Sequence, residues 1–186
     1  MLIPRLLRLL EQSYPGTRLG ITEWNFGAGH TINGGLATAE ILGILGREGV
    51  FLASHWQGPR GYPDQDWPSF QAFRLFRNAN GKGAGFGDHS LPASSTDWNR
   101  LSVFAAKVRP SGALTLVVIN KDQEQNVTAR VEVAGLQPAR LAIVYRLSAA
   151  NPSAIVRDAE LPVSGPIFTA TFPRYSATLL VLHPSP

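Results

Sequence analysis

The residues best suited to chemistry stand together in the run Ile21-Thr22-Glu23-Trp24-Asn25. Glu23 closes an apolar segment, 18–24, that reads as a short buried strand, and a polar, glycine-rich stretch at 25–35 follows it. A carboxylate at that position lies at the C-terminal mouth of an α/β barrel, where barrel active sites are built. There it can attack the anomeric carbon of a sugar, provided a second carboxyl group about 5 to 5.5 Å away protonates the leaving oxygen. The same residue types also suit a plainer role, in which the acid caps the following turn or pairs with an arginine.

Trp56 ends the next apolar segment, 50–56, in the same way. An indole there offers a rigid apolar face on which a pyranose ring can stack, or else it fills space under the rim of the fold. His30 and His55 are placed to hydrogen-bond a sugar or the acid, and each equally suits a surface or a satisfied core position. The four histidines include no i, i+4 pair and there is no cysteine, so the sequence predicts no metal site and no disulfide. Asn33-Gly34-Gly35 ahead of an apolar helix departs from the phosphate-loop pattern and reads as a cap with a tight turn. Asp64 and Asp66, in the loop after Trp56, are the other carboxylates near these strand ends.

The elements that must position these groups alternate in type. An amphipathic opening helix with Leu2, Leu6, Leu7 and Leu10 on one face precedes the strand at 18–24. A helix over 36–47 with Gly49 as its C-terminal stop, the strand at 50–56 and a helix over 69–77 with Pro68 at its N1 position complete the first half. These are two βα units of an α/β fold. Two such strands cannot close a barrel, so the chain reads as cut at its start, with helix faces such as Leu36, Ile41, Leu42 and Leu45 short of the strands they should cover.

Beyond a glycine-rich linker at 78–92 the pattern changes to period two. Strands are predicted over 101–107, 113–119, 127–133, 141–146, 167–172 and 177–182, with turn signals between them such as Asn151-Pro152. Val127, Ala129 and Val131 alternate with Thr128, Arg130 and Glu132, as on a strand with one buried face. This part reads as an antiparallel β-sandwich with its own core. The predicted organisation is therefore α/β plus all-β: residues 1–87 as the C-terminal portion of a (β/α)8 TIM barrel, residues 88–186 as the sandwich. Proteolysis is expected to trim such a chain to a fragment beginning between 78 and 101.

Composition narrows the function class. Of 186 residues, 44% are hydrophobic and 16% charged, which is a globular balance. The net charge of +4 comes from basic residues scattered singly, without the clusters a nucleic-acid groove shows. Arg5 and Arg8 interrupt the apolar opening segment, which therefore reads as a helix and not as a signal peptide, and no run approaches a membrane span.

Taken together, the first half resembles glycoside hydrolase family 44, the endoglucanase and xyloglucanase family. The resemblance rests on 21–27, on 33–39 and 42–50, on Ala53-Ser54-His55-Trp56, and on 72–78, 81–83, 86–88, 101–105 and 116–121, in that order along the chain. It implies retaining hydrolysis of β-1,4-glucans outside the cell. Glu23 matches the nucleophile at the end of the seventh barrel strand, and Trp56 ends the eighth. Trp24 and Asn25 are expected to join Trp56 in holding substrate, although Trp24 stands where the family more often has Tyr. The segment 1–12 would be the sixth barrel helix. The family's acid/base glutamate belongs to an Asn-Glu-Pro type motif, and the sequence has neither an Asn-Glu nor a Glu-Pro pair. The resemblance thus predicts an inactive fragment that carries the nucleophile alone, with a β-glucan as its partner, no organic cofactor, no metal, and the sandwich as a buttress. Two other readings stay open. One is a non-catalytic β-sandwich carbohydrate-binding or interaction protein with a vestigial barrel segment. The other is a different retaining family with the same architecture, such as an arabinofuranosidase.

Overall fold

The computed structural model describes residues 2–56, 66–135 and 137–185. Helix α1 (Leu2–Ser13) presents its leucines without burying any of them. Strand β1 (Gly20–Trp24) pairs in parallel with β2 (Leu52–His55), Gly20 opposite Leu52 and Ile21 opposite Ala53. Each strand is followed by a helix, α2 (Ile32–Arg47) after β1 and α3 (Pro68–Arg77) after β2. This is the βα alternation the sequence carries.

The remainder is antiparallel sheet. The strands are β3 (His89–Leu91), β4 (Leu101–Lys107), β5 (Leu114–Asn120), β6 (Val127–Glu132), β7 (Leu141–Ser148), β8 (Asn151–Arg157), β9 (Leu161–Pro162), β10 (Ile167–Phe172) and β11 (Ser176–Leu182). The main sheet runs β3-β4-β5-β11-β7-β8, with β9 also on β7, while β6 and β10 form a separate pair.

Strand periodicity distributes the apolar residues into two cores. Along β5, Val117 and Ile119 point to one face while Leu114, Leu116 and Val118 point to the other. Strand β11 divides likewise, Leu179 on the first face and Leu180 and Leu182 on the second. The second face meets β6 and β10 through Phe168, Ala170 and Phe172. The first face is covered by α2 and α3, through Leu36, Ala39, Ala72, Leu75 and Phe76. Every residue of β5 and β11 is therefore buried, which is why these antiparallel strands read as continuous apolar runs.

Small residues bring the helix layer down onto the sheet. A β-carbon on Gly43 of α2 would run into the ring of Phe104 on β4, and one on Gly35 would stand 2.7 Å from Cβ of Pro68 at the start of α3. Polar contacts reinforce the join: Lys121 lies 3.3 Å from Glu40 of α2, and the Tyr175 hydroxyl donates to Asn33 Oδ1 at 2.8 Å.

Several expectations are corrected here. The helix face thought to lack cover packs on the main sheet, where Leu36 is buried and Leu42 lies against the shared core. The sandwich does have a core of its own, between the second face of the main sheet and β6 and β10, but its other face is shared with the helices: a cut between 78 and 101 would strip Phe104, Val117, Ile119, Leu147 and Leu179 of their helical cover. Helix α2 begins at Ile32, so Asn33, Gly34 and Gly35 lie in its first turn and not in the preceding loop. Thr31 is the cap, its hydroxyl accepting the Gly34 amide at 3.2 Å. The low helix propensity of the glycines hid this start. Strand β8 occupies the place of the turn expected at Asn151-Pro152. It is an edge strand of the sheet, where the missing proline N–H sacrifices no rung. Strands β3 and β9 are three- and two-residue additions in segments that lacked a period long enough to read. The residue Gly49 does end α2, with φ +69 just after the C-cap Glu48.

Candidate active site

The two parallel strands end side by side. Their register shifts between Ile21 and Trp24, so that Trp24 comes to stand opposite His55. Burial then sorts the side chains by face. Ile21, Trp24, Ala53 and His55 are half-buried, whereas Thr22, Glu23, Ser54 and Trp56 are exposed. Of the half-buried set, Trp24 and His55 meet α3. The Trp24 and His55 rings stand edge to face at 4.6 Å, and Phe73 of α3 lies 5.9 Å from Trp24 and 5.4 Å from His55. Burial in this aromatic nest lowers the His55 pKa, because the imidazolium would lose hydration. The Trp24 indole Nε1 is buried and has no hydrogen-bond partner among the described residues.

Glu23 and Trp56 stand on the other, open side, Trp56 at 50% exposure. Among the described residues Glu23 has no hydrogen-bond or ion-pair partner. The helix that follows is capped by Thr31, and Arg18 lies over Phe51 with its guanidinium carbon 4.3 Å from the ring centre. Among the described residues, the plainer role foreseen for this acid, as a cap or an arginine partner, is thus taken up by other residues or left unfilled. An exposed carboxylate beside an exposed indole face can act as a nucleophile toward a bound sugar ring.

The loop between β1 and α2 is fixed at several points. Asn25 donates its Nδ2 to the Trp56 carbonyl at 2.6 Å, and its Oδ1 accepts the Gly27 amide. Gly27 and Ala28 adopt left-handed backbone, at φ +67 and +48. The Ala28 carbonyl then accepts both the Thr31 amide at 2.9 Å and the Thr31 hydroxyl at 2.8 Å. Further on, the Gly29 carbonyl accepts the Ser69 amide at 3.1 Å, which docks the loop on the start of α3.

Of the residues singled out in the sequence, the strand ends bring together Glu23, Trp24, Asn25, His55 and Trp56. Glu23 and Trp56 face outward, Trp24 and His55 face the helix, and Asn25 spans the two strand ends. His30 sits apart, its ring 5.7 Å from that of Trp67. Asp66 is exposed just before α3, and Asp64 lies outside the described residues. Phe73 and Thr31 complete the setting and were not singled out. A threonine directly ahead of the helix and an aromatic on the inner face of 68–77 were the signals that pointed to them.

No known family model matches the chain. Individual proteins do. Endoglucanase A of Paenibacillus lautus is 33% identical over 182 residues, which is 97% of this chain and 25% of that enzyme. The structure of CelM2, a bifunctional glucanase-xylanase from a metagenome library, superposes with a TM-score of 0.92 and 39% identity, over 99% of this chain and 34% of its own. A family 44 xyloglucanase of Paenibacillus polymyxa superposes at 0.90 with 32% identity, over 98% of this chain and 35% of that one, and the same enzyme has been solved with xyloglucan. The class that fold and relatives define is that of the glycoside hydrolases. Within it the chain belongs to family 44, spanning about a third of the solved enzymes it matches and a quarter of the Paenibacillus lautus endoglucanase.

Proposed function

We propose that this chain supplies the nucleophile of a retaining endo-β-1,4-glucanase of the cellulase and xyloglucanase type, with Glu23 as the attacking carboxylate. The observation that carries the reading is the position of Glu23. It lies exposed, without a partner among the described residues, at the end of β1 beside Trp56, in a fold shared with enzymes that act on these polymers. One carboxylate oxygen forms an ester bond to the anomeric carbon as the glycosidic C–O bond breaks. A carboxylic acid across the bond gives its proton to the departing sugar oxygen. That group then takes a proton from water, which attacks the anomeric carbon and releases Glu23 with net retention.

Strands β1 and β2 bring no second carboxylate of their own. The acid/base partner stands elsewhere on a (β/α)8 barrel of which residues 1–87 make up the last two βα units, with residues 88–186 as the sandwich behind them. Trp56 stacks a sugar ring next to the scissile bond. Trp24 supports the site from the helix side by holding β1 and β2 against Phe73. The place of action is extracellular, because insoluble or branched glucans do not enter cells. The test uses the full-length protein on carboxymethyl-cellulose and xyloglucan. Glu23→Gln keeps shape and hydrogen bonding but cannot form the ester, so it abolishes turnover while polysaccharide binding persists. Substantial activity in Glu23→Gln, together with no glycosyl azide from Glu23→Gly in azide, would contradict the assignment.

A further inference from the structure

Parallel pairing has a fixed hydrogen-bond sequence: a residue whose amide donates to residue n of the neighbouring strand accepts, at its own carbonyl, from the amide of residue n+2. Trp56 donates its amide to the Trp24 carbonyl at 2.8 Å. The next rung would therefore be the Phe26 amide on the Trp56 carbonyl. The structure puts another donor there, the side-chain Nδ2 of Asn25, at 2.6 Å. The other end of the same carboxamide accepts the Gly27 amide, an Asx-turn that bends the chain away from β2. Left-handed backbone at Gly27 and Ala28 completes the bend.

We infer that Asn25 is a positioning residue whose carboxamide replaces the last backbone rung between β1 and β2 and so fixes Glu23 relative to Trp56. Asn25 was expected to touch substrate; this geometry commits both ends of its amide to the backbone. The arrangement lets the chain leave the ladder directly after the strand end without loosening it. Glu23 lies two residues before the latch and Trp56 is the latch's acceptor, so both take their placement from it. The inference rests on the reading of Glu23 as nucleophile for its kinetic consequence, though not for its structural one.

The discriminating variant is Asn25→Asp. It is isosteric and keeps the acceptor for the Gly27 amide, but it has no donor and sets a carboxylate against the Trp56 carbonyl. On the 186-residue chain, amide exchange read by NMR should find Gly27 still protected in Asn25→Asp and unprotected in Asn25→Ala. The Trp56 amide should lose protection in both. In the full-length protein, both variants should lose roughly 100-fold in kcat with KM changed less than about threefold, the signature of a misplaced nucleophile. A raised KM with unaltered kcat would overturn the inference in favour of a substrate contact. Unchanged protection at Trp56 would overturn it outright. Should Glu23→Gln prove active, the function proposed above fails, while the exchange result still decides the role of Asn25.

Discussion

The ring of Phe104 on β4 occupies the space that a side chain on Gly43 of α2 would need. Two opposing effects follow for Gly43→Ala. Alanine favours the helix by about 1 kcal/mol, and the forced retreat of a buried ring costs about 1–3 kcal/mol. Phe104 is 3% exposed and packs against Trp98, so it has little room to move. Gly43→Ala is expected to destabilise the chain by about 1–2 kcal/mol in urea titration, the opposite sign to Gly46→Ala, where nothing stands within 4 Å.

Asn120, at the end of β5, is fully buried, and its Nδ2 faces the carbonyls of Gln125, Phe172 and Pro173, each at 3.0 Å. Its Oδ1 accepts the Asp122 amide. One side chain thus ties the exit of β5 to the turn between β10 and β11. Asn120→Ala strands several of these groups at once and should cost about 2–3 kcal/mol. Differential scanning calorimetry is the check, with Thr128→Ala on the exposed face of β6 as a control that leaves the transition within about 0.5 kcal/mol.

The nest around His55 makes stability depend on pH. Its folded-state pKa lies below the ordinary 6.5, so the unfolded chain binds the proton more readily than the folded one. Stability contributed by the neutral ring is complete above pH 6.5. It falls as the pH drops through that value, and the loss continues until the folded pKa is also passed. His55→Gln, which does not titrate, should flatten the melting-temperature profile between about pH 7 and 5. Circular dichroism melts across that range would show it.

Trp56 stands half out of the fold, so its removal separates binding from packing. Trp56→Ala should change stability by less than about 1 kcal/mol. In the full-length protein it should raise KM for soluble cello-oligosaccharides about tenfold, as loss of a stacked ring does. A large drop in melting temperature with unaltered kinetics would make Trp56 a packing residue.

What was legible in the sequence follows physical lines. Strands with a clear period or an unbroken apolar run, such as β4, β5, β6 and β11, stood within a residue or two of their places. So did the strand-end positions of Glu23 and Trp56, since a short apolar segment closed by a polar loop has few other readings. What stayed hidden depended on partners distant in sequence. Gly34, Gly35 and Gly43 look like helix breakers until Ala28, Pro68 and Phe104 are seen to need the space. Pro152 looks like a turn until β8 proves to be an edge. The shared core of helices and main sheet was misread because the apolar face of a helix does not reveal what covers it. Within the site, the sequence could bring Trp24 and Asn25 near Glu23 but could not orient them. Their orientation depends on Phe73 from α3 and on the Trp56 carbonyl, 48 and 31 positions along the chain from Asn25.

The covalent chemistry of Glu23 can be read directly. A 2-deoxy-2-fluoro-β-cellobioside with a 2,4-dinitrophenyl leaving group forms the glycosyl-enzyme ester but slows its hydrolysis, so the nucleophile can be read by peptide mass spectrometry. Incubated with the full-length protein, it should release one equivalent of dinitrophenol, and the added 2-fluorocellobiosyl mass should lie on the peptide containing Ile21 to Asn25, at Glu23. The label should be absent from Glu23→Gln. A stoichiometric label on any other carboxylate, or turnover of β-1,4-glucan by a protein that takes no label at Glu23, would contradict the account.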